Sequence, residues 1–158
     1  MGSPHYFPGS GTWPGYIDAD LNNPEKIISI AREKLDFTQP VAIMLMGVLG
    51  HIGDPGSSDD DFASSVVNRL KAALPPGGYL VLRDATNTAP SHIQALRIYE
   101  RTGAVPYQLR SPQQITRFFD GLEAVDPGIV PVQQWRPDQR SSRFPADINM
   151  WGGVAVKR

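Results

Sequence analysis

Nine consecutive residues, Val41 to Leu49, carry no charged group and no polar side chain. The run is far shorter than the roughly 20 apolar residues that cross a bilayer. It does not alternate, as a strand with one wet face would. It reads as a strand covered on both faces, as in a parallel sheet. A second continuous run, Tyr79-Leu80-Val81-Leu82, follows a helical stripe of Phe62, Val66, Val67, Leu70 and Ala73. Strand, helix, strand is the repeating unit of an α/β sheet, and the spacing predicts that class, mostly parallel.

The punctuation agrees. Asn22-Asn23-Pro24-Glu25 is a helix start, with an Asn cap, Pro at the first helical position and an acid in the first turn. Ile27, Ile28, Ala31 and Leu35 then form one stripe. Pro75-Pro76-Gly77-Gly78 ends the second helix. Ser91 opens a third, with Ile93, Leu96 and Tyr99 on one face. Ser111-Pro112-Gln113-Gln114 is a capping box before Ile115, Phe118 and Phe119, and that helix stops at Gly121. Tyr16 to Leu21 looks like a short strand. Leu122 to Trp135 looks like a strand broken at Asp126-Pro127-Gly128, and Asn149 to Lys157 like a closing strand. Two strands in succession predict a C-terminal antiparallel hairpin. Residues 1–15 hold three Pro and four Gly and read as a loop or arm. Met1-Gly2-Ser3 has the look of an expression scar, and Tyr6, Phe7 and Trp13 are candidates to dock the arm. Residues 16–158 make one domain.

Fifteen Lys and Arg balance 16 Asp and Glu, so the surplus of positive charge that non-specific nucleic-acid binding requires is missing. A polybasic membrane anchor has no support either. No cysteine is present, which excludes disulfides, thiolate metal sites and a Cys nucleophile and suits a reducing cytoplasm. Asp59-Asp60-Asp61 reads as helix-start charge rather than a metal site, and no metal site is expected. Gly9-Ser10-Gly11 follows no strand, so it is neither a nucleophile elbow nor a phosphate loop.

In open α/β sheets ligands bind at the carboxyl ends of strands. Three such ends are polar or glycine-rich: Asp18/Asp20, Gly47 to His51, and Arg83/Asp84. Each also has a plainer reading. Asp20 serves equally as a turn residue, Gly47 as relief of helix–strand crowding, and His51 as an unspecialised loop histidine. No general base or nucleophile follows from the spacing.

The blocks DADLNNPEKI, PVAIMLMGVLGHIGD, LPPGGYLVLRDAT, YERTGAVPYQLRSPQQITRFFDGLEAVDPGIVPVQQWRPD and the ending WGGVAVKR resemble a bacterial family of S-adenosylmethionine-dependent methyltransferases. The resemblance runs from Tyr16 to the C-terminus. It implies a class I, Rossmann-like sheet with flanking helices and S-adenosylmethionine as cofactor. By the same resemblance Asp20 stands where an acid reaches the adenine amino group, and Leu21 where its neighbour packs on the ring. Gly47, Val48 and Leu49 stand beside the methionine part, with His51 just beyond. The helices after Ser91 and Ser111 would cover the sheet.

The resemblance also implies an N-terminal half with a glycine-rich cofactor loop, which residues 1–15 are too few to supply. Residues 16–158 are therefore expected to form the C-terminal portion of such a domain. The strand at Val41–Leu49 would have an open edge and an uncovered face, inviting a second copy or a partner chain. Two readings follow: a methyltransferase acting on a small-molecule acceptor, or a non-catalytic module for oligomerisation or partner binding. A hydrolase is disfavoured, since neither a nucleophile elbow nor a metal cluster is present.

Overall fold

The computed structural model describes residues 15–52, 60–137 and 149–158, with the side chains of Asp60 and Asp61 left aside. The proposed docking of Tyr6, Phe7 and Trp13 lies outside these residues.

The first element, α1 (Pro24–Lys34), starts as its cap predicts: the Asn23 side chain accepts from the Lys26 amide at 3.2 Å. β1 (Ala42–Met46) leads through a 3-10 turn (Leu49–His51) to α2 (Asp60–Ala73) and β2 (Tyr79–Ala85). Then come α3 (Pro90–Glu100), α4 (Pro112–Arg117), β3 (Glu123–Ala124), β4 (Val130–Pro131), a 3-10 turn (Val132–Gln134) and β5 (Met150–Val156). The capping box of α4 is present in full: the Ser111 hydroxyl accepts from the Gln114 amide, and the Ser111 amide donates to Gln114 Oε1.

The sheet has the order β1-β2-β5-β3, with β4 also on β5. β1 and β2 are parallel, Leu45 opposite Leu82. β5 is antiparallel to β2, β3 and β4. The sheet is thus mixed rather than mostly parallel. The closing strand lies inside the sheet, between β2 and the short β3 and β4, and is more than one arm of a hairpin.

The register puts Ile43, Leu45, Leu80, Leu82 and Ala155 on one face. That face packs against Ala63, Val66, Val67, Leu70 and Leu74 of the α2 region and against Ile115, Phe118 and Phe119 of the α4 region. α1 lies on α2, where Glu25 and Arg69 form an ion pair. No described helix is long and apolar enough to cross a membrane.

Three expectations are corrected. Tyr16 to Leu21 is not a strand: it leads into a turn in which the Asn22 amide donates to Asp20 Oδ1 at 2.9 Å and the Asn23 amide to the Asp20 carbonyl. A strand needs a hydrogen-bonding neighbour, and β1 pairs only with β2 among the described strands. The run Val41–Leu49 is not covered on both faces: the strand is five residues long, and Met44 and Met46 are 62% and 43% exposed. Among the described strands β1 is an edge, and the face opposite the core is open at Met44 and Met46. Finally, α3 begins at Pro90 rather than at Ser91 and buries no residue. α4 contributes to the core, but α3 does not. Its side chains Ile93 and Leu96 line a pocket together with Tyr107 and Leu109 instead.

Candidate functional site

At the carboxyl end of β1 the chain turns sharply. Gly47 has φ +73°, a conformation glycine adopts without strain, and its amide donates to the Arg83 carbonyl at 2.9 Å. An added Cβ there would lie 3.4 Å from the Arg83 guanidinium. Val48 follows, packed on the core, and Leu49 is buried in it. The chain then passes Gly50 and reaches His51, which is exposed.

Beside this loop stands the end of β2. Asp84 is 1% exposed. Its Oδ1 accepts from the Ala85 amide at 2.8 Å and from the Tyr107 hydroxyl. Its Oδ2 accepts no hydrogen bond among the described residues. Burial pushes the Asp84 carboxyl above its ordinary range, against the pull of Tyr107, the Ala85 amide, Arg110 and Arg83. Burial and then the Asp84 hydrogen bond push the Tyr107 phenol upward too.

Arg110, also buried, donates to the Leu49 carbonyl at 2.9 Å and lies over the Phe118 ring. The Gln108 amide donates to the Gly50 carbonyl at 2.9 Å. These bonds strap the 107–110 segment to the loop after β1. Gly50 makes the fit possible, since a Cβ on it would lie 2.5 Å from the Tyr107 ring. His51 meets that ring edge-on, centroids 4.8 Å apart, with its Nδ1 3.1 Å from the Pro106 carbonyl oxygen.

The sequence-predicted residues divide into groups. Leu49 lies in the core, and Leu21 and Val48 pack against it, so these three share one apolar body. Gly47 and His51 sit at the two ends of the turn that leaves β1. Asp20 stands apart on the turn before α1, exposed, with one carboxylate oxygen held by the Asn22 amide. No described hydrogen bond or ion pair joins it to Gly47 or His51. What the structure shows at Asp20 is an exposed carboxylate, oriented by the Asn22 amide, next to a half-buried leucine.

Sequence reasoning flagged Asp84 only as part of a polar strand end, and it missed Tyr107, Arg110 and His92. Tyr107 and Arg110 lie in a stretch without helical periodicity, Pro106-Tyr107-Gln108-Leu109-Arg110. Its alternation was the one available signal. Among the described residues no group of three or more His, Asp or Glu is placed to hold a metal ion.

Comparison with known proteins bears on the family and the fold. The sequence model of a family described as S-adenosyl methyltransferase matches residues 10–158. A DUF574 family protein from Streptomyces avermitilis, solved by crystallography, superposes with a TM-score of 0.80 at 35% identity, over 90% of this chain and 55% of that one. A candidate methyltransferase from Thermobifida fusca gives a TM-score of 0.71 at 31% identity, over 89% of this chain and 52% of that one. The chain thus spans about half the length of these two solved proteins. No curated protein matches. With the family model covering nearly the whole sequence, the chain belongs to the S-adenosyl methyltransferase family.

Proposed function

We propose that this chain forms part of an S-adenosylmethionine-dependent methyltransferase acting on a small-molecule acceptor. The observation that carries the reading is the turn Gly47–His51 at the carboxyl end of a parallel strand, in a chain of that family. The cofactor supplies the activated methyl group. In this reading Asp20 and Leu21 receive the adenine, Gly47, Val48 and Leu49 line the methionine part, and His51 stands beside the reacting end. Methyl transfer of this class is dominated by orientation of donor and acceptor. We place the protein in the cytoplasm of a bacterium: a cysteine-free sequence suits a reducing compartment, and both solved relatives above are bacterial.

A second reading takes the chain as a non-catalytic module for oligomerisation or partner binding, which the exposed apolar side chains of β1 support. We also propose that a second copy of the chain covers the edge of β1, which the exposure of Met44 and Met46 supports.

Calorimetric titration with S-adenosylmethionine and S-adenosylhomocysteine separates the two. Micromolar binding, weakened by Asp20→Ala by about 0.5–1.5 kcal/mol for one lost hydrogen bond, upholds the methyltransferase reading. A folded chain that binds neither compound upholds the module. Binding unaffected by Asp20→Ala removes the adenine role from that residue.

A further inference from the structure

Between the turn after β1 and α3 lies an open groove of about 360 Å³, inside the range of small-ligand sites, roughly 300–1,000 Å³. His51, His92, Ala95, Leu96, Tyr99 and Tyr107 line it. Two imidazoles, two phenol rings and two aliphatic side chains present aromatic and apolar surface, with no carboxylate or guanidinium among them. Such a lining takes an uncharged, flat molecule, held by ring stacking and edge contacts.

The polar atoms narrow the choice. The Pro106 carbonyl can only accept, so a hydrogen bond at 3.1 Å requires His51 Nδ1 to carry the proton. In the neutral imidazole Nε2 is then a hydrogen-bond acceptor. The Tyr107 hydroxyl is already committed to Asp84, which leaves its ring for contact. On its His51 side the groove therefore offers an acceptor and asks for a donor on the ligand.

The site is also built rather than incidental. A buried carboxylate fixes Tyr107, Gly50 clears the space its ring occupies, and the ring orients His51 edge-on. α3 buries nothing in the core and leaves Tyr99 half exposed, so its inner face has the groove as its partner.

We propose that this groove binds a neutral aromatic molecule bearing a hydroxyl group, with the hydroxyl donating to His51 Nε2. The proposal names the acceptor class of the methyltransferase reading and rests on it for that role, while the binding itself is tested without cofactor. The chain has three histidines, so the imidazole proton resonances are few, and substitution of His51 and His92 in turn assigns theirs. Titration of the full chain with 1-naphthol should shift the resonances of His51 and His92. Naphthalene should bind roughly tenfold more weakly for want of the hydrogen bond. His51→Phe should bring naphthol down to the affinity of naphthalene. Ala95→Trp, on the exposed side of a helix with no core residue, should fill the groove and reduce naphthol binding by more than about tenfold.

Naphthol that shifts neither His51 nor His92, or binds Ala95→Trp undiminished, overturns the proposal. A parallel titration with S-adenosylhomocysteine keeps the two readings apart. Homocysteine adduct bound with no naphthol at His51 removes the groove alone. Naphthol bound at His51 with no adduct bound keeps the binding site and removes its role as a methyl-acceptor site.

Discussion

Asp84 carries a carboxyl group into the interior at the end of β2, with one oxygen bonded twice and the other not hydrogen-bonded among the described residues. Burial is the largest influence on it and favours the protonated form. Its folded pKa lies above the unfolded 3.8, so its contribution to stability is complete below that value and is lost as pH rises through the folded one. Asp84→Asn keeps the shape and removes the titration. Thermal melts from pH 4 upward should show the variant gaining on the native chain as pH increases; a constant difference would mean that Asp84 ionises inside without penalty. Gly50 is the second residue on which the site turns. Gly50→Ala drives a methyl group into the Tyr107 ring and should cost about 1–3 kcal/mol, the usual range for overpacking. In a Tyr107→Ala background the same change should cost much less, and a double-mutant cycle by urea unfolding measures the difference.

Elements in this protein are tied together at their ends. Lys157, just past β5, donates from Nζ to the carbonyls of Lys71, Ala72 and Leu74. A cation on the last carbonyls of α2 satisfies orphan acceptors and complements the helix dipole. Lys157→Met retains the stem and removes the cap, and should lower stability by about 1–2 kcal/mol. Amide exchange should quicken first in the last turn of α2. A loss spread evenly over the chain would argue that Lys157 acts elsewhere. α3 is the opposite case, a helix whose stripe of Ile93, Leu96 and Tyr99 finds no core. Its side chains line pockets shared with the 107–110 segment, which Arg110 and Gln108 hold to the turn after β1.

At the scale of the molecule the dominant feature is the asymmetry of the sheet. One face and three strands enclose the core, while β1 ends the sheet with Met44 and Met46 turned outward. An edge strand with apolar side chains invites pairing with another chain. Light scattering at micromolar concentration should report a dimer of the 158-residue chain, and Met44→Lys with Met46→Lys should return it to monomer without lowering the melting temperature of the monomer. A monomeric native chain would refute the second-copy proposal.

Local chemistry settled much in the sequence alone. The Asn23 cap, the Ser111 capping box and the Pro-Gly stop after α2 act within a few residues, so they were legible without any neighbour. So were the apolar stripes of α2 and α4 and the strand character of β1, β2 and β5. Pairing and burial belonged to the tertiary structure. Tyr16–Leu21 has a strand-like pattern but no described strand beside it, and Val41–Leu49 is apolar throughout yet covered on one face. α3 is amphipathic but faces a groove. Tyr107 reaches Asp84 from 23 positions away and Arg110 reaches the Leu49 carbonyl from 61, through bonds no spacing encodes. A cap or turn is decided by the residues that form it. A site assembled across strands depends on which backbones lie side by side, and that is decided only when the sheet closes over its core.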